Sequence, residues 1–187
     1  ARDVILNGDI VLNVIDAVHM QRDIFLTQQL IDMGKKVIVA VNLIDEAKKN
    51  GINIDIKKLS QFLGVEVFAT SALKGIGIDD VKKNIKNARV GNKTEGIQEM
   101  LSEIVSPEVS EAEALLILEE DQVISERKGV KTEGKRDEIY RKRRERVDRI
   151  INEVVSDSIE GSSFGTKLGR LMLKPITGLP ILIVILA

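Results

Sequence analysis

The chain has 187 residues, 43% of them hydrophobic and 30% charged, with a formal net charge of −1. That size and balance suit one ordinary packed domain, or a domain with a smaller appendage, and exclude wholesale disorder. Near-neutral charge, 3% aromatic residues and no Trp argue against a nucleic-acid-binding surface, while zero Cys and a single His (His19) exclude disulfides, thiolate sites, cysteine nucleophiles and a histidine-rich metal centre. The lack of cysteine fits a reducing, cytoplasmic setting. The chain begins at Ala1 without a signal-peptide pattern and stops inside the apolar run Pro180–Ala187, so both ends read as cuts in a longer protein.

Strand and helix signals alternate over residues 1–89. Residues 1–8 read as the end of a helix stopped by Gly8. Ile10–Ala17 is a short β-branched run, predicted to be a buried parallel strand. Ile24, Leu26, Leu30 and Ile31 follow at near-helical spacing, closed by Gly34. Val37–Val41 predicts a second strand, and Ile56, Leu59, Phe62 and Leu63 one helical face ending at Gly64. Val65–Ala69 predicts a third strand, and Ile78, Val81 and Ile85 a helix with Asp79 and Asp80 in its first turn. Such alternation predicts an α/β sheet with right-handed crossovers, whose ligands bind at the carboxyl ends of the strands.

The polar stretch Val90–Gly96 reads as a linker, and no strand signal follows from Ile97 to about Glu160. Ser110 and Glu113 have capping-box spacing ahead of one predicted helix over Glu111–Arg127. A charged, glycine-broken loop over 126–135 leads to a longer helix over Asp137–Ser156, with Tyr140, Val147, Ile150, Ile151 and Val154 on one stripe. The predicted division is therefore a partial α/β domain over 1–89, a small all-α unit over 97–156, a basic linker over 157–175 and an apolar segment over 176–187. That last run is too short to span a bilayer, which needs about 20 apolar residues, but it suits the start of a transmembrane helix. Lys167, Arg170 and Lys174 ahead of it would lie on the cytoplasmic side.

Two motifs carry the chemistry. KVIVAVNLID (Lys36–Asp45) ends in Asn-x-x-Asp, and VEVFATSALKGIG (Val65–Gly77) ends in Ser-Ala-x-x-Gly-x-Gly. Guanine presents N1–H and the N2 amino group side by side, and one carboxylate accepts both; adenine offers the wrong pattern. Asp45 is placed for that task, with Asn42 bracing the nucleotide loop. A backbone N–H near Ala72 would donate to guanine O6, Ser71 would hold the loop, and Leu73 and Lys74 would flank the base. Either motif alone is as well explained by a turn or a helix cap. Their order, strand contexts and the helix between them make the pair read as the guanine-recognising half of a GTPase.

The stretch Ile44–Ile85, IDEAKKNGINIDIKKLSQFLGVEVFATSALKGIGIDDVKKNI, resembles the FeoB family of ferrous-iron transporters, as do the ILNGDIVLNVIDA opening and the RDIFLTQQL helix. Leu43 after Asn42, where small GTPases carry lysine, is usual for that family. The resemblance is specific over about residues 1–89, weaker over the helical unit, and returns at Leu168–Ala187. It implies the C-terminal half of a P-loop-NTPase-like GTPase domain, a helical domain that modulates nucleotide release, and the start of the first membrane helix of an Fe²⁺ carrier. It also implies GTP or GDP bound through Asn42, Asp45, Ser71, Ala72 and Leu73, with Mg²⁺ in the intact parent. The partners it implies are the cell membrane, with this region on the cytoplasmic side of the inner membrane, the remaining transporter domains and, as a further option, a second copy of the chain.

The chain departs from the GTPase pattern in lacking a G-x-x-x-x-G-K-[ST] phosphate loop, a switch threonine and an Asp-x-x-Gly metal loop. Asp16 is followed by Ala17-Val18-His19 and does not supply the last of these. No catalytic residue and no metal site is therefore expected, and the chain is expected to be inactive alone. The alternatives are a soluble GTPase of the ribosome-assembly type and a degenerate, non-catalytic α/β interaction module. His19 is expected in a surface loop, the basic run Arg141–Arg149 and the carboxylates Glu119, Glu120 and Asp121 on solvated helix faces. A half-domain lacking its first strands would also expose a sheet edge and apolar surface.

Overall fold

The computed structural model describes residues 2–131 and 133–157. Helix α1 (Arg2–Asn7) leads into β1 (Ile10–Asp16), α2 (Met20–Asp32) and β2 (Lys36–Asn42). Next come α3 (Ile44–Lys49), β3 (Ile52–Ile54), α4 (Ile56–Leu63), β4 (Val67–Ala69) and α5 (Ile78–Asn84). The rest is helical except at its end: α6 (Ile97–Ser102), α7 (Glu111–Leu118), α8 (Gln122–Lys128), α9 (Arg136–Val154) and β5 (Val155–Asp157). Strands β1, β2 and β4 form a parallel sheet in the order β1-β2-β4. The central strand buries Val37–Val41 without interruption, which is why its sequence is an unbroken apolar run and not an alternating one. The register sets Asp16 beside Asn42 and Val41 beside Ala69, so all three strands finish at one edge of the sheet.

Local signals explain most element ends. Asp55 caps α4 by accepting from the Lys58 amide at 2.9 Å, and Gly64 closes the helix at φ +71°. Leu59 and Leu63 of that helix are fully enclosed. The Ser110–Glu113 capping box forms as expected. On α2, Ile24, Leu30 and Ile31 are buried, but Leu26 is 47% exposed. Strand β1 is parallel as expected but not buried as expected: only Ile15 is enclosed, and Ile10, Leu12 and Val14 are exposed, because β1 is the edge of the sheet and one of its faces is left bare.

Three expectations are corrected. The helix over Glu111–Arg127 is two helices, because Glu120 adopts φ +66° and Asp121 starts α8 by accepting from the Ile124 amide at 3.1 Å. Arg2 holds the same Asp121 carboxylate at 2.8 Å, a contact from the other end of the chain that local periodicity does not reveal. A second sheet also exists, in which β3 pairs antiparallel with β5. The helix expected to reach Ser156 accordingly ends at Val154, and Val155 turns extended to make that pairing.

Two apolar clusters form the core. One gathers Ile15, Ile24, Val37, Val39, Val41, Leu59 and Leu63 under the sheet. The other gathers Ile97, Leu101, Leu115, Leu118 and Ile124 among the helices. Helix α9 belongs to both, giving Ile139 to the second and Val147, Ile150 and Val154 to the first. Its inner stripe includes Arg143, only 2% exposed, while Tyr140 is 54% exposed and packs its ring 5.0 Å from Phe25. Arg143 Nε donates to Asp32 at 3.0 Å, and Nη1 to Glu119 at 2.8 Å. Asp32 also accepts from the Thr94 amide at 2.8 Å and from Gln28 at 3.1 Å.

Removing one partner of a buried ion pair strands the other charge, at a cost of about 3–5 kcal/mol, whereas an exposed i,i+4 pair contributes about 0.5 kcal/mol or less. Arg143→Leu should therefore lower the unfolding free energy in urea by about 3–5 kcal/mol. Arg141→Leu, which removes the exposed pair with Glu145, should leave it within about 0.5 kcal/mol of wild type.

Candidate functional site

The carboxyl edge of the sheet brings the two motifs together. Asn42 is the last residue of β2; Leu43 then takes the left-handed conformation at φ +61°, and α3 starts with Asp45 in its first turn. A non-glycine residue there is strained, and the strain turns the chain from strand to helix within one residue. Beyond β4, the Thr70 amide donates to Val41 O at 2.8 Å, and the Ile44 amide to Thr70 O at 3.2 Å. Asn42 Oδ1 accepts from the Ala72 amide at 3.0 Å and from Thr70 Oγ1 at 3.4 Å. One side chain thus clasps both loops. With its oxygen engaged, the Asn42 amide has only its NH₂ to offer a ligand.

The second loop is tightly built. Ser71 and Ile76 exchange backbone hydrogen bonds at 3.1 Å, enclosing a 3₁₀ turn over Ala72–Lys74 that ends at Gly75. Gly77 sits at φ +73°, and a Cβ on it would come within 2.2 Å of Ala69 O, so the Ser-Ala-x-x-Gly-x-Gly spacing answers a real contact. Ser71 is buried, whereas Leu73 at 93% exposure stands free in solvent. The sequence-predicted residues Asn42, Asp45, Ser71, Ala72 and Leu73 lie together at this edge. The Ala72 N–H is engaged by Asn42, so that amide serves the loop itself.

Sequence reasoning placed Lys74 beside the base but missed its partner. Lys74 Nζ lies 2.9 Å from Asp45 Oδ2. The Lys74 ammonium, followed by the Ser71 hydroxyl, holds the Asp45 carboxyl well below its ordinary value, at about 2. The folded value lies below the unfolded 3.8, so these contacts favour the folded state above that pH and lose their contribution as the pH falls through about 2.

The remaining polar candidates have structural work. Asp16 caps the turn after β1, accepting from the Val18 amide at 2.7 Å and pairing with His19 at 2.8 Å, and the contact with His19 keeps its carboxyl low. His19 lies exposed in the loop before α2. Glu119 accepts from Arg143 and Gln29, and Asp121 is paired with Arg2, so these two do not form the solvated face that was expected. In the basic run, Arg141 and Arg144 pair with Glu145 and Asp148 on the helix surface. Arg143 and Arg146 instead turn inward, and Arg146 donates to the carbonyls of Phe62 and Asn92. Among the described residues, no three His, Cys, Asp or Glu side chains converge as metal ligands, and no helix is long and apolar enough to cross a membrane. Lys167, Arg170, Lys174 and the apolar run at 180–187 lie outside the described residues.

Carbon-13 NMR of the Asp45 carboxyl should give a midpoint of about 2, and Lys74→Met should move it up toward 3.8. An unmoved midpoint would mean that Lys74 does not set it.

Residues 1–85 match the family model described as "Ferrous iron transport protein B". The Fe(2+) transporter FeoB of Legionella pneumophila (strain Paris) is 44% identical over 80 residues, 43% of this chain and 11% of that protein. The Fe(2+) transporter FeoB of Escherichia coli (strain K12) is 28% identical over an alignment covering 97% of this chain and 27% of that protein. The chain thus spans between about a tenth and about a quarter of the length of these curated relatives. Among solved structures, the apo cytosolic domain of the T. maritima FeoB iron transporter superimposes with a TM-score of 0.72 at 26% identity, covering 83% of this chain and 72% of that one. NFeoB from S. thermophilus bound to GDP.AlF4- and K+ gives 0.72 at 26% identity, covering 81% and 72%. The guanine-type motif loops, the parallel sheet and these matches agree: over residues 1–85 the chain is similar to the FeoB family.

Proposed function

We propose that this chain is the guanine-nucleotide-binding region of a FeoB-type Fe²⁺ transporter, coupling nucleotide state to ferrous-iron uptake. The observation that carries the reading is the Asn42 clasp, which sets the Asp45 carboxylate and the Ser71–Leu73 loop around one spot at the strand ends. In this reading Asp45 accepts guanine N1–H and N2–H, Asn42 and Ser71 hold the two loops, Ala72 closes the clasp, and Leu73 covers a face of the base. The similar S. thermophilus protein is bound to GDP.AlF4- and K+, which supports a guanine nucleotide as the ligand. Hydrolysis would need a phosphate loop, and this sequence contains no G-x-x-x-x-G-K-[ST] run.

We further propose a partial GTPase domain over 1–89, a regulatory helical domain over 97–156, a basic linker over 157–175 and the start of a membrane segment over 176–187. The separate helical core and the α9 tie through Arg143 support a helical unit able to feel the nucleotide half. Likeness to the E. coli transporter over 97% of the chain favours this reading over a soluble ribosome-assembly GTPase. In the transporter the region would lie on the cytoplasmic side of the inner membrane. The bare β1 face supports pairing with the rest of the transporter or with a second copy.

Asp45→Asn exchanges one acceptor for an NH₂ donor. That opposes guanine and suits xanthine, which carries a carbonyl at the same ring position. Guanine-nucleotide affinity of the intact transporter should fall by about tenfold to a hundredfold, with xanthine-nucleotide affinity rising, as measured by calorimetry. Unchanged preference would overturn the assignment.

A further inference from the structure

The carboxylate proposed to read guanine is already occupied. Lys74 Nζ sits 2.9 Å from Asp45 Oδ2, and Ser71 also helps to hold that carboxyl low. These two neighbours differ in how easily they can leave. Ser71 is 1% exposed and fixed by two backbone bonds to Ile76, so its hydroxyl stays. The Lys74 side chain is 48% exposed and is carried on a short 3₁₀ turn that ends at Gly75, a position where even an added Cβ would meet nothing within 4 Å. The residue after Asn42 is apolar Leu43, so the first motif brings no lysine of its own.

We propose that Lys74 is a displaceable cap on the base-reading carboxylate, which guanine removes by exchanging its N1–H and N2–H donors for the ammonium. The proposal rests on the guanine-site reading above and adds the regulation of that site. Guanine replaces one charge-assisted donor with two, and the released lysine regains its freedom and its hydration. Adenine presents a ring nitrogen acceptor and a C–H at this edge, so it cannot displace the ammonium. The cap therefore keeps the empty carboxylate satisfied and raises selectivity by penalising bases that lack the paired donors. Because the contact is a solvent-reached ion pair, its competition is modest and falls with salt.

The test uses the full chain and guanosine, which has no phosphate for Lys74 to attract. Guanosine is titrated by amide NMR into wild type, Lys74→Met, Asp45→Asn and the control Lys82→Met, at about 0.02 M and about 0.5 M salt. Lys74 is exposed, so a preserved amide spectrum is expected of its variant. Lys74→Met should bind guanosine up to about fivefold more tightly than wild type at low salt, and the gap should close at high salt. Lys82→Met should match wild type. Equal or weaker binding by Lys74→Met, with Asp45→Asn still weakening binding by about tenfold or more, would overturn the cap and leave the guanine site standing. Guanosine binding by Asp45→Asn equal to wild type would overturn the site and the cap together.

Discussion

The buried guanidinium–carboxylate contact between Arg143 and Asp32 is the constraint on which the rest of the arrangement depends. Asp32 ends α2, the helix that crosses from β1 to β2, and Arg143 sits mid-way along α9. Their 3.0 Å contact fixes the rotation and height of α9, so that Val147, Ile150 and Val154 fall on the sheet core and Ile139 on the helical core. An apolar pair of similar size would bury as much surface but would tolerate other registers; a charge pair with Thr94, Gln28 and Glu119 around it does not. The cost of removing two ions from water is offset by that shell of donors and acceptors.

Once α9 is fixed, its end is fixed as well. Val155 emerges where it can pair with Ile54, which joins the last described residues to the loop between α3 and α4. That loop follows directly from the helix bearing Asp45. A continuous packed route therefore runs from the helical unit to the loop bearing Asp45, through the α9–β5 corner and β3. The same docking explains the basic run. Arg146 faces inward and donates to the Phe62 and Asn92 carbonyls, while the outward arginines pair with acids one turn away.

The site follows from strand register. β1, β2 and β4 end together, so the loops after β2 and β4 are neighbours, and a single asparagine with its oxygen between them can serve both. Leu43 and Gly77, both at positive φ, make the turns abrupt enough to keep Asp45 and the Ser71–Leu73 loop facing the same space. In the proposed reading, base selection comes from the spacing of donors against the Asp45 carboxylate, which these turns hold charged and aimed.

Much of this was legible in the residues themselves. The unbroken Val37–Val41 run, the Leu59–Leu63 face with Gly64, the Ser110–Glu113 box and the two motifs each report local geometry, because helix and strand periods and cap chemistry act over a few residues. Asn42, Asp45 and Ser71–Leu73 stand out from motif order and strand context. What spacing could not reveal were the contacts made across the fold: Arg143 turned inward onto Asp32, Asp121 drawn to Arg2 so that one helix became two, β3 paired with a strand at the far end, and Lys74 placed on Asp45. Each of these depends on which surfaces meet after docking. A buried charge looks like a solvated one in the sequence until its partner arrives from elsewhere in the chain. The sequence by itself determined the elements, the order of the motifs and the chemistry they can perform; the tertiary structure decided which charges are buried, which strands pair at long range and which cation guards the carboxylate.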